Sequence, residues 1–137
     1  MRALGSDPGS EVVDALLEQT SRFCAREIDA QAIDATARIP PSVLEGLAEL
    51  GLFGVTLPEA HGGAGLSLGD ACRLVDVLAR FDRSVAVSVG LHLGLGTRGL
   101  VRFGTATQHE RWLPSLASGA CIAAFSTTEP GAGSDLS

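Results

Sequence analysis

The sequence predicts a mainly α-helical fold that ends in a single short strand. In several segments apolar residues recur every three or four positions, which is the pattern of amphipathic helices. Capping residues, prolines and glycines stand where such helices would begin and end. The length of 137 residues and the hydrophobic content of 45% suffice for one domain with a buried core.

The first two helices are predicted in the N-terminal third of the chain. Ser10 can cap a helix that runs to Ile28. The segment from Pro41 to Leu50 has proline at its first helical position, and Gly51 stands just beyond its end. The residues expected to face the core are Val13, Leu16, Leu17, Cys24 and Ile28 in the first helix, and Val43, Leu44, Leu47 and Leu50 in the second.

A glycine-rich loop is predicted before the third helix. Pro58, Gly62, Gly63 and Gly65 interrupt the helical pattern and permit unusual backbone angles. Ser67 can then cap a helix that ends near Phe81. Its apolar face is expected to consist of Leu68, Cys72, Val75 and Leu78.

The stretch from Ser84 to Gly104 permits two interpretations. Its apolar residues alternate strictly with small or polar ones, which by period alone indicates a β-strand. The alternating apolar residues are Val85, Val87, Val89, Leu91, Leu93 and Leu95. A buried helix is the alternative, because alanine, serine and glycine would let neighbouring helices approach closely. The pattern alone leaves both interpretations open.

A fifth helix and a strand are predicted in the C-terminal part. Thr105 can cap a helix over "ATQHERWL", Pro114 can begin another turn, and Gly119 closes it. Trp112 is expected to anchor the packing of this helix. A strand from Cys121 to Ser126 follows, and the residues after it form a loop rich in hydroxyls and glycines.

Composition and charge indicate which binding partners and which cellular compartment to expect. The formal net charge of −6 disfavours nucleic acid and anionic membranes, because both attract clustered positive charge. No stretch approaches the roughly 20 uncharged apolar residues that span a bilayer, and residues 1–10 do not resemble a signal peptide. Cys24, Cys72 and Cys121 match no CxxC spacing, so we expect buried free thiols in a reducing, cytoplasmic compartment.

Two glycine-rich motifs are candidates for binding phosphate groups. "GLGTRG", from Gly94 to Gly99, has the dinucleotide-binding spacing, but Gly104 interrupts the helix that should follow. "EPGAGSD", from Glu129 to Asp135, lacks the lysine of a Walker loop, although its backbone N–H groups and hydroxyl could contact a phosphate. The context thus disfavours a nucleotide loop at "GLGTRG", and a loop such as "EPGAGSD", taken alone, is more often only a turn.

The histidines give little support for a metal or acid–base site. His61, His92 and His109 are widely separated and stand near no cysteine at ligand spacing, so we expect no metal. Glu59 and His61 are close in sequence but flank glycines in a loop. We expect these two residues to make turn contacts rather than to transfer protons.

Three ordered motifs identify a family resemblance. "FSTTEPGAGSD" closely resembles the signature of the acyl-CoA dehydrogenase family. "LGLFGVTLPEAHGGAGLS" and "FGTATQHERWLPSLASGACIAAFSTTEP" resemble the segments that precede the signature in that family. The match runs from about Ile39 to Ser137, and "GLHLGLGTRGLVRFGT" is similar to members that act on long-chain acyl-CoA.

The resemblance implies a fold and a domain organisation. It implies an orthogonal bundle of about five helices in an N-terminal domain, residues 1–120. Residues 121–137 would be the first strand and loop of a middle β-domain that is absent from this chain. The ambiguous stretch from Ser84 to Phe103 would then be a buried helix rather than a strand.

The resemblance also implies an FAD-dependent oxidoreductase of fatty acid metabolism that introduces a double bond between the α and β carbons of acyl-CoA thioesters. FAD is required because no side chain can accept a hydride. No catalytic residue is expected in this chain, because the catalytic glutamate would lie beyond Ser137. The segment implied to line the flavin consists of Phe125, Ser126, Thr127, Thr128, Glu129, Pro130, Gly131, Ala132, Gly133 and Ser134.

Within this segment, Thr127 and Thr128 would supply backbone and hydroxyl hydrogen bonds to the flavin ring, and Ser134 would contact the acyl-CoA substrate or the cofactor's phosphates. The complete enzyme would take acyl-CoA as substrate, pass electrons to an electron-transfer acceptor and assemble as a homotetramer. The chain alone would be inactive. A non-catalytic helical interaction module and a non-functional gene fragment are the alternatives.

Overall fold

The computed structural model describes residues 8–135, and side chains from residue 11 onward. This part of the chain is mainly helical, as predicted. Its α-helices are α1 (Pro8–Glu27), α2 (Ala30–Thr36), α3 (Pro41–Glu49), α4 (Leu68–Ala79), α5 (Arg83–Leu91), α6 (Thr97–Phe103) and α7 (Ala106–Ala117). Short 3₁₀ turns span Leu52–Gly54 and Glu59–His61, and a π-helical turn, His92–Gly96, joins α5 to α6.

Side-chain caps fix the beginnings of several helices. Ser67 accepts a hydrogen bond from the backbone N–H of Asp70, which confirms the predicted cap of α4. Thr105 and Gln108 form a reciprocal capping box at the start of α7. Asp82 caps α5 by accepting from the backbone N–H of Val85. Ser10 lies inside α1 rather than at its N-cap, because that helix begins at Pro8.

Helix α2 is an element that the sequence pattern did not predict. Asp29 caps it by accepting hydrogen bonds from the backbone N–H groups of Gln31 and Ala32. Ile33 is its buried residue. A helix this short exposes most of its length and therefore shows almost no apolar periodicity.

The main core lies where α1, α3, α4 and α5 meet around the first 3₁₀ turn. Its buried side chains include Cys24, Val43, Leu47, Phe53, Leu74, Leu78, Val85, Val89 and Leu93. The predicted apolar face of α4 is wrong in part. Leu68 and Cys72 are exposed, and Ala71 and Leu74 are buried instead. The buried face of α4 is thus rotated from the predicted one.

The ambiguous stretch is helical, which confirms the interpretation taken from the resemblance. Its alternating apolar residues divide between two sides of the helix. Val85, Val89 and Leu93 are buried, whereas Val87, Leu91 and Leu95 are exposed. The expectation of a buried helix is therefore wrong for one of its faces.

A smaller core cluster lies under α7. Leu57, Leu113, Leu116 and Ala117 are buried in it, with Leu100, Val101 and Ala123 packed against them. Trp112 is 43% exposed and lies beside the guanidinium of Arg111, so the prediction that it anchors this helix is wrong. Pro114 lies inside a continuous helix rather than at the start of a new turn. Gly119 closes the helix with a left-handed φ of 75°, as predicted.

The predicted strand from Cys121 to Ser126 does not form. These residues have no regular secondary structure, and the described residues contain a single isolated bridge, between Glu129 and Ala132. A strand is defined by hydrogen bonds to a neighbouring strand. No such neighbour is present in residues 8–135.

Two further findings concern the cysteines and the most apolar helical stretch. Cys24 is buried as predicted, but Cys121, like Cys72, is exposed. By length and composition alone, the helical stretch Arg83–Phe103 is long and apolar enough to cross a membrane. The core helix of a water-soluble protein meets the same two criteria, so this stretch is weak evidence for a membrane span.

Candidate functional site

The candidate site is the segment that leaves α7 and runs from Cys121 to Asp135. Gly119 turns the chain out of the helix, and an ideal Cβ at this position would lie 2.7 Å from both Ala48 and Phe53. The backbone N–H of Cys121 then donates to the carbonyl of Ser115, at 3.0 Å. These contacts set the direction in which the segment starts.

A buried histidine connects the segment to the helical body. The backbone N–H of Ala123 donates to Nδ1 of His92 at 3.0 Å, and Nε2 of His92 lies 3.0 Å from the carbonyl oxygen of Phe53. The imidazole is fully buried and meets the Phe53 ring edge to face, with 5.1 Å between the ring centroids. Burial lowers the pKa of His92, mainly through the loss of solvation.

The absence of a side chain at Gly96 makes this contact possible. An ideal Cβ at Gly96 would lie 2.7 Å from the Cβ of Ala123 and 3.0 Å from its carbonyl oxygen. Such distances are too short for carbon–carbon and carbon–oxygen contacts. Ala123 itself packs against the smaller core cluster, so the segment lies directly on the helices at this point.

Beyond Ala123 the segment is exposed. Phe125 is 53% exposed, and residues 126–131 are exposed as well. Within the described residues, the backbone N–H groups from Ala124 to Thr128 make no hydrogen bond. The segment therefore presents a row of free donors, together with the hydroxyls of Ser126, Thr127 and Thr128.

A tight turn ends this row of donors. Glu129 and Ala132 exchange two backbone hydrogen bonds, of 2.8 and 3.1 Å, with Pro130 and Gly131 at the corner. Gly131 is absent from the glycines with positive φ, so the turn does not have the type II geometry that Pro-Gly often adopts. Gly133 and Ser134 follow, both exposed.

The structure thus brings the predicted site residues together as one exposed, contiguous surface. Sequence reasoning missed His92 and Gly96, which hold that surface in place. A single histidine inside an apolar, glycine-containing run was the available signal for a buried polar contact. This signal is weak, because most histidines in apolar segments only pack in the core.

The other candidate motifs have structural roles. "GLGTRG" lies in the π-helical turn and α6 rather than between a strand and a helix, so it lacks the geometry of a nucleotide loop. Among residues 8–135, no group of three or more His, Cys, Asp and Glu side chains could hold a metal ion. The loop of Glu59 and His61 is closed by backbone hydrogen bonds, with Gly62 and Gly65 at positive φ.

Comparison with known proteins identifies the family. Residues 10–120 match the family model for the acyl-CoA dehydrogenase N-terminal domain. The mitochondrial very long-chain specific acyl-CoA dehydrogenase of Macaca fascicularis is 40% identical over 126 residues, which cover 92% of this chain and 19% of that protein. The chain thus spans about a fifth of the length of this relative.

Solved structures agree with this match. The acyl-CoA dehydrogenase of Geobacillus kaustophilus superposes with a TM-score of 0.83 at 28% identity, over 92% of this chain and 33% of that one. The acyl-CoA dehydrogenase of Bacillus anthracis, solved in complex with FAD, gives a TM-score of 0.76 at 31% identity, over 92% of this chain and 22% of that one. The chain belongs to the acyl-CoA dehydrogenase family, and its helical body matches the N-terminal domain of that family.

Proposed function

We propose that this chain is the N-terminal portion of an FAD-dependent acyl-CoA dehydrogenase and forms one wall of its flavin and acyl-CoA site. The observation that carries the proposal is the exposed row of free donors from Ala124 to Thr128, held against the helical body through Ala123. The family match and the FAD complex of the Bacillus anthracis relative support the choice of ligand.

The residues fit the polar edge of a flavin ring. That edge carries several nitrogen and oxygen acceptors, and the segment offers backbone N–H groups and hydroxyls that have no protein partner in residues 8–135. Thr127 and Thr128 would donate to the ring, and Phe125 would contribute apolar surface. When bound, FAD supplies the acceptor for the hydride that leaves the acyl chain.

The segment after the turn would contact phosphate or substrate. Ser134 is exposed and follows the Glu129–Ala132 turn, whose two backbone bonds restrict where this hydroxyl can point. A serine hydroxyl and neighbouring backbone N–H groups are suitable donors to a phosphate oxygen. We assign Ser134 to the acyl-CoA substrate or to the cofactor's phosphates.

Catalysis requires more of the enzyme than this chain. Glu110 and Glu129 are exposed, and neither lies in an enclosed site that would favour removal of the α-proton of a thioester. We assign that step to a glutamate outside these 137 residues, so the chain alone would be inactive. We further propose that the complete enzyme passes electrons to an electron-transfer acceptor, assembles as a homotetramer and works in a reducing, cytoplasmic compartment.

A chimeric enzyme tests this function. In the acyl-CoA dehydrogenase of Geobacillus kaustophilus, the residues that align with this chain would be replaced by the chain itself. We expect the chimera to purify with FAD, and we expect the visible flavin absorbance to bleach when acyl-CoA is added without oxygen. A chimera that folds and assembles like the parent, yet holds no FAD or is reduced by no acyl-CoA, would refute the proposal.

A matched pair of threonine variants tests the site within that chimera. Thr128→Val removes one hydroxyl from the donor row, and Thr107→Val makes the same change at an exposed position of α7. One lost hydrogen bond of about 0.5–1.5 kcal/mol predicts FAD binding about 2- to 10-fold weaker for Thr128→Val. Thr107→Val should bind FAD as the unmodified chimera does. Equal FAD affinity in both variants would show that the Thr128 hydroxyl does not bind FAD.

A further inference from the structure

We propose that His92 is a positioning residue for the flavin-side segment, and that it acts as a neutral imidazole with its proton on Nε2. The inference extends the proposed function, on which its consequence for the cofactor rests. Its structural part concerns only the contact between His92 and Ala123. His92 touches neither cofactor nor substrate in this assignment and acts through the backbone.

The two hydrogen bonds of 3.0 Å at the ring nitrogens of His92 determine its tautomer. The Phe53 partner is a carbonyl oxygen, which can only accept, so Nε2 must carry the hydrogen that it donates over 3.0 Å. The Ala123 partner is a backbone N–H, which can only donate, so Nδ1 must be unprotonated to accept over 3.0 Å. The imidazole therefore links a donor on the segment to an acceptor on the body.

The hydrogen bond between Ala123 and His92 is the last bond from the segment to the helical body before the exposed donors begin. Cys121 is bonded to Ser115 and Ala123 to His92, and within the described residues the next backbone bond of the segment is at Glu129. The position of the residues between these points therefore depends on how Ala123 is held. Because His92 is fully buried, water cannot substitute for the lost partner without opening the core.

Two substitutions separate the two hydrogen bonds. Asparagine carries its Oδ1 at about the place of imidazole Nδ1, so His92→Asn keeps the acceptor for Ala123 and loses the bond to Phe53. Glutamine carries its side-chain amide at about the place of Nε2, so His92→Gln keeps the bond to Phe53 and loses the acceptor. Both replacements are neutral amides, and a general loss of stability would affect both.

Nuclear magnetic resonance on the 137-residue chain tests the structural part. We expect the ring nitrogen shifts of His92 to show hydrogen on Nε2 alone. Hydrogen exchange of the Ala123 amide should be about tenfold faster in His92→Gln than in the unmodified chain, and nearly unchanged in His92→Asn. His109→Gln is a control, because Nε2 of His109 also bonds a backbone carbonyl, that of Leu100, without contacting the segment.

A glycine pair tests the same contact without altering His92. Gly96→Ala introduces a Cβ that lies too close to Ala123, whereas a Cβ at Gly99 has no atom within 4 Å. In the FAD-bound chimera, Gly96→Ala and His92→Gln should both shift the visible flavin bands and raise the KM for acyl-CoA severalfold. Gly99→Ala and His92→Asn should leave the bands unchanged.

The results distinguish this inference from the proposed function. Hydrogen on Nδ1 of His92, or an Ala123 amide that exchanges equally fast in the asparagine and glutamine variants, would overturn the inference even if the chimera is active. Flavin bands unchanged by both His92→Gln and Gly96→Ala would overturn its consequence for the cofactor. An unmodified chimera without FAD would refute the proposed function and leave the measurements on Ala123 to decide the positioning role.

Discussion

Two buried ionisable side chains illustrate how the fold acts on single residues. Burial raises the pKa of the Cys24 thiol to about 11, and it lowers the pKa of His92, in both cases mainly because the charged form loses its solvation. Both shifts favour the neutral group. For Cys24 the result is an unreactive thiol, and for His92 it preserves the unprotonated Nδ1 that accepts from Ala123.

The lowered pKa of His92 predicts that acid destabilises the chain. The unfolded histidine has its ordinary pKa of 6.5, so below this pH the unfolded state binds a proton more readily than the folded state. The free energy of unfolding should therefore be highest above pH 6.5 and fall as the pH drops through the folded pKa. Chemical denaturation at a series of pH values between 7.5 and 5 measures this fall.

The variant His92→Gln is the control for this pH dependence, because it retains a polar side chain and has no titrating ring. Its unfolding free energy should vary less with pH than that of the unmodified chain. No described ionisable side chain bonds to the His92 ring, whose partners are backbone groups. Identical slopes in the two proteins would assign the acid sensitivity to other groups.

At the scale of elements, the helical stretch Arg83–Phe103 contributes the residues that contact the flavin-side segment. One side packs in the main core through Val85, Val89 and Leu93, and the π-helical turn places His92 towards Phe53. A π-helical turn inserts one residue into the helical repeat and so changes which face the following residues present. The small residue Gly96 then lies against Ala123.

Two neighbouring leucines test the orientation of this stretch. Leu93 is 2% exposed and Leu95 is 56% exposed, although both belong to the same alternating run. Leu93→Ala should lower the free energy of unfolding by about 2–5 kcal/mol, because it leaves a cavity in the core. Leu95→Ala should change it by no more than about 0.5 kcal/mol. Chemical denaturation of both variants makes the comparison, and equal losses would contradict the helical assignment.

Local signals in the sequence predicted most of the helices. Ser67, Thr105, Pro41 and Gly51 mark helix ends through hydrogen bonds or backbone angles that depend on a few adjacent residues. Periodicity alone could not decide the stretch with alternating valines and leucines, since the spacing of two fits a strand and a small-residue helix. The family resemblance supplied that decision.

The errors arose where distant contacts decide the structure. The predicted strand from Cys121 to Ser126 needs a partner strand, which local sequence does not reveal. The site residues from Phe125 to Ser134 were recognised from their motif, and their flavin role stays a prediction. Their support by His92 depends on a contact between residues 31 positions apart. No short-range pattern contains that information.

The whole molecule combines a packed helical body with an exposed segment that the body positions. The body has a main core and a smaller cluster under α7, and the segment contacts the smaller cluster through Ala123. The outer side of the helical stretch Arg83–Phe103 exposes Val87, Leu91, Leu95 and Phe103, the last at 81%. The free energy of unfolding of the helical body and the hydrogen exchange of the segment can be measured independently.

The cysteines report on the integrity of the body. Cys24 is fully buried in the main core, whereas Cys72 and Cys121 are exposed on α4 and on the segment. Because burial raises the pKa of Cys24 from 9.0 to about 11, its thiolate fraction at pH 8 is about 100-fold below that of an ordinary thiol. Brief alkylation of the native chain should therefore add two groups, detected by mass spectrometry, and alkylation in denaturant should add three.

Since Cys24 reacts only when the core opens, its slow modification measures that opening. A third group added natively at the rate of the first two would show that the helical body does not form a stable core.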